Sequence, residues 1–267
     1  MNGPIVQIVA LCLYGNAYRH GEIITDFFNN STAQFCKKIE FIQLKKKLFG
    51  KVEEKVIYNN PNTFFNELNS PLTQYNLYYV PVEPRDGLEE RITAGFVGGG
   101  GKWILLSTNE DGTTDWTSYW NVIDQNNPNK KIWGVKYIQT GNYFLCNEND
   151  ENYIDTFYNA LESIYNFTIA KNNSAFASYF KNAMITLDSH GKKLFGYHKD
   201  LVPKCYKEIE YLLDACQSAW LFGGMGSWND VYFQDENIFE EYKEVSQNLY
   251  SSLISTVIQS VNSVIAL

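Results

Sequence analysis

Hydrophobic positions change their period midway along this chain, and the change predicts its elements. Pro4 to Tyr14 holds a continuous apolar run, Ile5 to Leu13, that ends at Gly15-Asn16 and reads as a buried strand. Phe35 to Leu44 alternates in part, through Phe35, Ile39 and Phe41, and predicts a second strand. Lys51 to Tyr58 fits a strand or a short helix, whereas Pro61 to Leu68 opens on a proline suited to a first helical turn. Tyr75 to Val82 is aromatic and β-branched with proline near both ends, which places it near a sheet edge. Ile92 to Val97, the glycines Gly98 to Gly101 and Trp103 to Ser107 read as a hairpin, because glycine supplies the positive φ of a tight turn. Asn109-Glu110-Asp111-Gly112 is a further turn signal, and Ile132 to Gln139 is the last strand.

From Tyr153 the spacing turns helical. Ile154, Phe157, Leu161, Ile164 and Tyr165 form one stripe, with Asp150 near its cap. Ser174 can cap a second helix carrying Phe176, Phe180, Met184 and Leu187. Pro203 fits the start of a third, with Ile209, Leu212, Leu213, Cys216 and Trp220, stopped by Gly223-Gly224. A final helix from near Asn237 carries Tyr242, Leu249, Leu253, Val257 and Val261, and Ile254 and Ile258 make its second half apolar most of the way round. The expected fold is α+β: a mostly antiparallel N-terminal sheet followed by a C-terminal set of about four helices packed on it. No linker or repeat divides the chain, so residues 1–267 read as a single domain, strand-rich over 1–145 and helical over 150–267.

Composition narrows the function. A net charge of −8 repels phosphate backbones and argues against nucleic-acid binding. Five widely spaced cysteines (Cys12, Cys36, Cys146, Cys205 and Cys216) fit neither a disulfide framework nor a zinc knuckle, and a reducing, cytoplasmic setting is the expectation. The opening stretch has no basic n-region or small-residue cleavage site. The uncharged tail beyond Glu244 is broken by Ser, Gln and Asn residues, so it reads as a core helix rather than a membrane anchor.

Candidate chemistry is sparse. Gly98 to Lys102 lacks the P-loop spacing, since Phe96 stands where the first glycine belongs and Trp103 follows the lysine. His190 and His198, with Asp188 and Asp200, match no metal signature, and His20 stands alone, so no metal or cofactor is expected. The distinctive stretch is Gly223-Gly224-Met225-Gly226-Ser227-Trp228-Asn229-Asp230. Its glycines allow close backbone approach, and Trp228, Asn229 and Asp230 offer a stacking plane, an amide and a carboxylate. The same stretch also fits a helix–helix connection in which Trp228 plugs the core and Asn229 or Asp230 caps the last helix. Glu236, Glu240, Glu241 and Glu244 then crowd the first turns of that helix.

An acidic chain rich in Tyr, Trp and Asn, without catalytic motifs, resembles in composition the bacterial immunity proteins, which bind and neutralise a cognate toxin. The resemblance implies a protein-binding module; separately, the acidic C-terminal half suggests a partner with a basic surface, and Trp228, Asn229, Asp230, Glu236, Glu240 and Glu241 are the candidate contact residues. The alternative expectation is an enzyme with its site around Trp228, Asn229 and Asp230. A third is a structural subunit whose uncharged last helix packs against another copy.

Overall fold

The computed structural model describes residues 1–46, 52–68, 70, 72–82, 89–95, 99–141, 151–191 and 198–266. Its order is α1 (Gly3–Arg19), β1 (Cys36–Lys46), β2 (Val52–Tyr58), α2 (Pro61–Glu67), β3 (Gln74–Val80), α3 (Glu90–Thr93), β4 (Lys102–Asn109), β5 (Gly112–Val122), β6 (Trp133–Gln139), α4 (Tyr153–Ala170), α5 (Ser174–Asp188), α6 (Glu210–Ala219) and α7 (Glu236–Ser263). The fold is α+β. Its six-stranded sheet runs β2-β1-β6-β5-β4-β3, and every neighbouring pair is antiparallel except β1 with β6.

Two sequence expectations are corrected. The Pro4–Tyr14 run is helix α1, not a strand. Continuous apolarity fits a strand or a helix buried all round equally well, and the local signals decide: the Asn2 side chain accepts from the Ile5 N–H at 3.2 Å and Pro4 occupies the first turn. The helix packs across β3, β4 and β5 and also meets α2 and α7, so little of its circumference reaches water. The second correction concerns the expected glycine hairpin. Its first arm is in part the short helix α3, and β4 pairs with β3 and β5 instead; residues 96–98 lie outside the described residues. The hairpin that does form is β4–β5, closed where Asn109 pairs with Gly112 at φ 122°.

The caps differ in detail as well. Asn152 and Asn173 precede α4 and α5, Ser174 is the first residue of α5, and Asp150 lies outside the described residues. Pro203 opens a 3₁₀ stretch, Lys204–Ile209, that leads into α6.

The sheet face toward α1 is aromatic. Phe41 stacks on Phe64 at 3.8 Å between ring centres, with Trp116, Tyr137 and Tyr58 around them. One contiguous buried cluster continues from these rings through α1 into α4, α6 and α7. α4, α5, α6 and α7 pack in succession on one another, and α7 also lies against β3. The uncharged half of α7 is interior: Leu249, Leu253, Val257 and Val261 are fully buried. Among the described residues no helix is long and apolar enough to cross a membrane.

The two sheet edges are protected in different ways. On β3 an amide side chain meets the outward backbone groups of alternate residues. Asn16 accepts from the Tyr75 N–H at 3.0 Å and donates to its carbonyl at 2.7 Å. Asn262 does the same for Leu77, at 2.8 and 2.9 Å. Each carboxamide imitates one rung of a neighbouring strand, so α1 and α7 seal this edge. On β2 the edge instead carries exposed Glu53, Glu54 and Lys55, charges that oppose strand addition.

Candidate functional site

The connection between α6 and α7 is built from short-range bonds. The Trp228 N–H donates to the Leu221 carbonyl at 3.1 Å and closes the loop. Inside it, Ser227 Oγ donates to the Gly223 carbonyl at 3.0 Å, and the Asp230 carboxylate accepts from the Gly226 N–H. Gly226 sits at φ 84°, where a side chain is strained. A Cβ on Gly95 would lie 2.1 Å from the Gly223 carbonyl oxygen, so only glycine allows the α3 end to touch this connection.

Trp228 has no exposed surface. Phe176 and Phe180 meet its ring edge-on at 5.3 and 5.6 Å, and Tyr242 lies at 5.3 Å. Its indole N–H donates to Ser246 Oγ at 2.7 Å, and its carbonyl accepts from the Tyr242 hydroxyl at 2.7 Å. The ring therefore plugs the core and holds the connection; it has no face left for a visitor. Asn229 is engaged with Arg91, donating to the Arg91 carbonyl at 2.9 Å and accepting from its guanidinium at 3.2 Å. Arg91 is 1% exposed, bonded through Nε to Glu89 at 2.6 Å and stacked over the Tyr242 ring at 5.2 Å. Asp230 is exposed. The cap of α7 is Asp235, not Asn229 or Asp230: its carboxylate accepts from the N–H groups of Asn237 and Ile238.

Outside this buried frame the surface is acidic and partly apolar. Glu236, Glu240, Glu241 and Glu244 are all exposed on the first turns of α7. Glu240 pairs with Lys243 at 2.5 Å and Glu241 with Lys171 at 3.2 Å. Two large apolar side chains that the sequence reading did not single out stand on the connection itself. Met225 is fully exposed and Tyr232 is 72% exposed. The Tyr232 ring contacts Phe239 at 5.7 Å, which fixes it beside the acidic turns. Their position among glycines and acids, rather than on an apolar stripe, was the available signal.

The remaining candidates lie elsewhere. Ser31, His198 and Asp200 meet, but in the wrong order for nucleophile activation. Ser31 Oγ donates to the Asp200 carboxylate, so His198 Nδ1, 2.9 Å away, faces a hydroxyl whose proton is already committed. Burial pushes the His198 imidazole below its ordinary range. The Ser31 N–H also donates to Asp200 at 2.9 Å, so the group ties the 198–200 turn to the segment after α1. His190 instead packs against Tyr211, Asp188 accepts from Tyr158, and His20 lies beside Arg19. Among the described residues no three His, Cys, Asp or Glu gather as a metal-holding group. Cys12, Cys36, Cys205 and Cys216 are free thiols, and Cys146 lies outside the described residues.

The glycine loop before β4 serves a carboxyl rather than a phosphate. The Gly101 N–H donates to Glu90 Oε1 at 2.8 Å, and the Tyr79 hydroxyl donates to the same oxygen. Tyr250 lies 3.3 Å from the Tyr79 hydroxyl, so β3, α3 and α7 meet at one carboxyl. Burial raises the Glu90 carboxyl above its ordinary range, against the opposing effect of the Gly101 N–H. The folded protein then holds this proton more tightly than the unfolded chain. The contribution of Glu90 is fully present below the ordinary carboxylate range and is lost as pH rises through the raised folded value. Glu90→Gln keeps the shape without the charge. It is expected to flatten that part of the stability curve and to match or exceed the parent at neutral pH, as read from urea midpoints between about pH 4 and about pH 8. No family model, curated protein or solved structure matches this chain.

Proposed function

We propose that the chain is a protein-binding module that presents the outer side of the α6–α7 connection and the first turns of α7 to a partner with a basic surface. The observation that carries this reading is that exposed Met225 adjoins Gly226, whose N–H holds the exposed Asp230 carboxylate, while exposed Tyr232 packs on Phe239 in the turns that carry exposed Glu236, Glu240 and Glu241. Apolar anchors inside a charged rim suit protein recognition: the anchors supply desolvation, and the rim supplies orientation and association rate. Trp228 and Asn229 support the surface from beneath, because their bonds fix the connection on which Met225 and Asp230 stand. In its finer form the proposal is an immunity-type protein that neutralises a cognate toxin by covering its basic face.

The test separates rim charge from fold. The pairs of Glu240 with Lys243 and of Glu241 with Lys171 are largely exposed, and such pairs contribute about 0–1 kcal/mol each. Glu236→Gln combined with Glu240→Gln and Glu241→Gln is therefore expected to leave the melting temperature nearly unchanged. A partner captured from native lysate is expected to bind this variant at least ~10-fold more weakly at low salt, mainly through slower association, with a flatter salt dependence. Association kinetics indifferent to the three changes, for every captured partner, would reduce the cluster to a solvated helix face.

A further inference from the structure

β2 forms one edge of the sheet, and among the described residues it pairs only with β1. Alternate residues of an edge strand turn their backbone N–H and C=O groups away from the sheet, a template for a further strand. The opposite edge, β3, is sealed by Asn16 and Asn262, whereas β2 carries exposed charges. Those charges oppose an arbitrary strand, yet their order admits one. Val52 and Val56 on the same strand are 57% and 43% exposed and belong to no part of the buried core. The bulge opposite Phe41 and Ile42 falls at Ile57, so Val52 to Val56 is the regular stretch. Within it Val52, Glu54 and Val56 share one face, and Glu53 and Lys55 share the other.

We infer that β2 is a dimerisation strand: it pairs antiparallel with β2 of a second copy, about a two-fold axis beside Glu54, and joins the two sheets into one. Symmetry restricts the register first. Residues directly opposite each other lie on the same face of a sheet, so two identical strands pair only in registers that place one residue opposite itself. Charge then chooses among these. Centred on Glu54, the register sets Val52 opposite Val56 twice and Glu53 opposite Lys55 twice, so apolar meets apolar and acid meets base. Centred on Glu53 or on Lys55, it sets a like-charged pair at the axis and valines opposite glutamates. The two Glu54 side chains at the chosen axis are also alike, but each is already paired with Lys136 of its own sheet. β2 lies at the far edge of the sheet from β3 and α7, so this contact is independent of the proposed acidic surface.

Sedimentation of the full chain between about 1 and about 300 µM tests this, since one strand pair is smaller than a standard interface and a Kd on the order of 10–100 µM is expected. Glu53→Lys places lysine opposite lysine at both outer charge pairs, and Lys55→Glu places glutamate opposite glutamate. Each variant alone is expected to dimerise at least about 10-fold more weakly, with a nearly unchanged melting temperature because both positions are exposed. Mixed in equal amounts, the two variants should form a heterodimer at least as tight as the parent dimer, because every outer pair is then opposite in charge. One chain carrying both changes should dimerise like the parent. Amide exchange locates the contact: the backbone N–H groups of Val52 to Val56 should exchange more slowly as concentration rises, while those of α7 should not change. A parent chain monomeric throughout, single variants that dimerise as well as the parent, a mixture no tighter than either variant, or protection gained at α7 instead of β2 would each overturn the inference. Exchange on the parent chain decides the matter where a variant does not fold.

Discussion

A chain ending at Glu244 is expected not to fold. The removed part of α7 buries Leu249, Tyr250, Leu253, Val257, Ile258 and Val261. At roughly 1.5–3 kcal/mol for each large side chain, these six contribute on the order of 10 kcal/mol or more before ordering entropy is subtracted. A domain's whole stability is about 5–15 kcal/mol. Two polar losses add to this. Asn262 no longer seals the Leu77 backbone on β3, and Tyr250 leaves the Glu90 carboxyl. The expected result is loss of near-UV dichroism and of cooperative urea unfolding. A truncated chain that keeps both would show α7 to be accessory and would favour the reading in which it docks a second copy.

Trp228→Ala is expected to cost about 3–5 kcal/mol, the range for emptying a large buried aromatic site. The rings around it come from three helices, Phe167 on α4, Phe176 and Phe180 on α5 and Tyr242 on α7, so no single shift can close the gap. Ser246 keeps its own bond to the Tyr242 carbonyl but loses the indole donor. Trp228→Phe, which keeps one aromatic ring in the site and loses the donor and the rest of the indole, should be markedly milder. Urea midpoints at constant slope measure both effects. Trp228→Ala should also expose the connection around Met225 to limited proteolysis before the rest of the chain, because the indole ring and its N–H to Ser246 are what anchor it in the core. An alanine variant within about 1 kcal/mol of the parent would mean that the ring is not the plug its burial implies.

Much of the fold was legible wherever one face of an element is wet. The stripes of α4, α5, α6 and α7 carry period 3.6 because their outer sides meet water, and the Asn109–Gly112 turn signal falls where β4 turns into β5. α1 was misread because burial on every side erases period, and strand and helix then look alike. β5 was passed over for a related reason: its buried positions are Asp115, Trp116 and Thr117, consecutive rather than alternating. Of the proposed site, the sequence marked the α6–α7 connection through its three glycines and its tryptophan. It did not separate the buried Trp228 and Asn229 from the exposed Met225 and Tyr232, since exposure depends on what packs against the segment.

Sequence by itself determined the fold class, most of the helices, the acidic first turns of α7 and the position of the distinctive connection, because these rest on local period, caps and charge. Only the tertiary structure decided the rest. It set β1 parallel to β6 across a long excursion of chain, buried Arg91 against Asn229, and turned Asn16 and Asn262 into substitutes for a missing strand. It also left one Gln217 donor buried without a partner. The physical reason is common to all four: each depends on which groups, distant in sequence, are brought together away from water, and a polar side chain carries no mark in sequence of whether a partner will be waiting for it there.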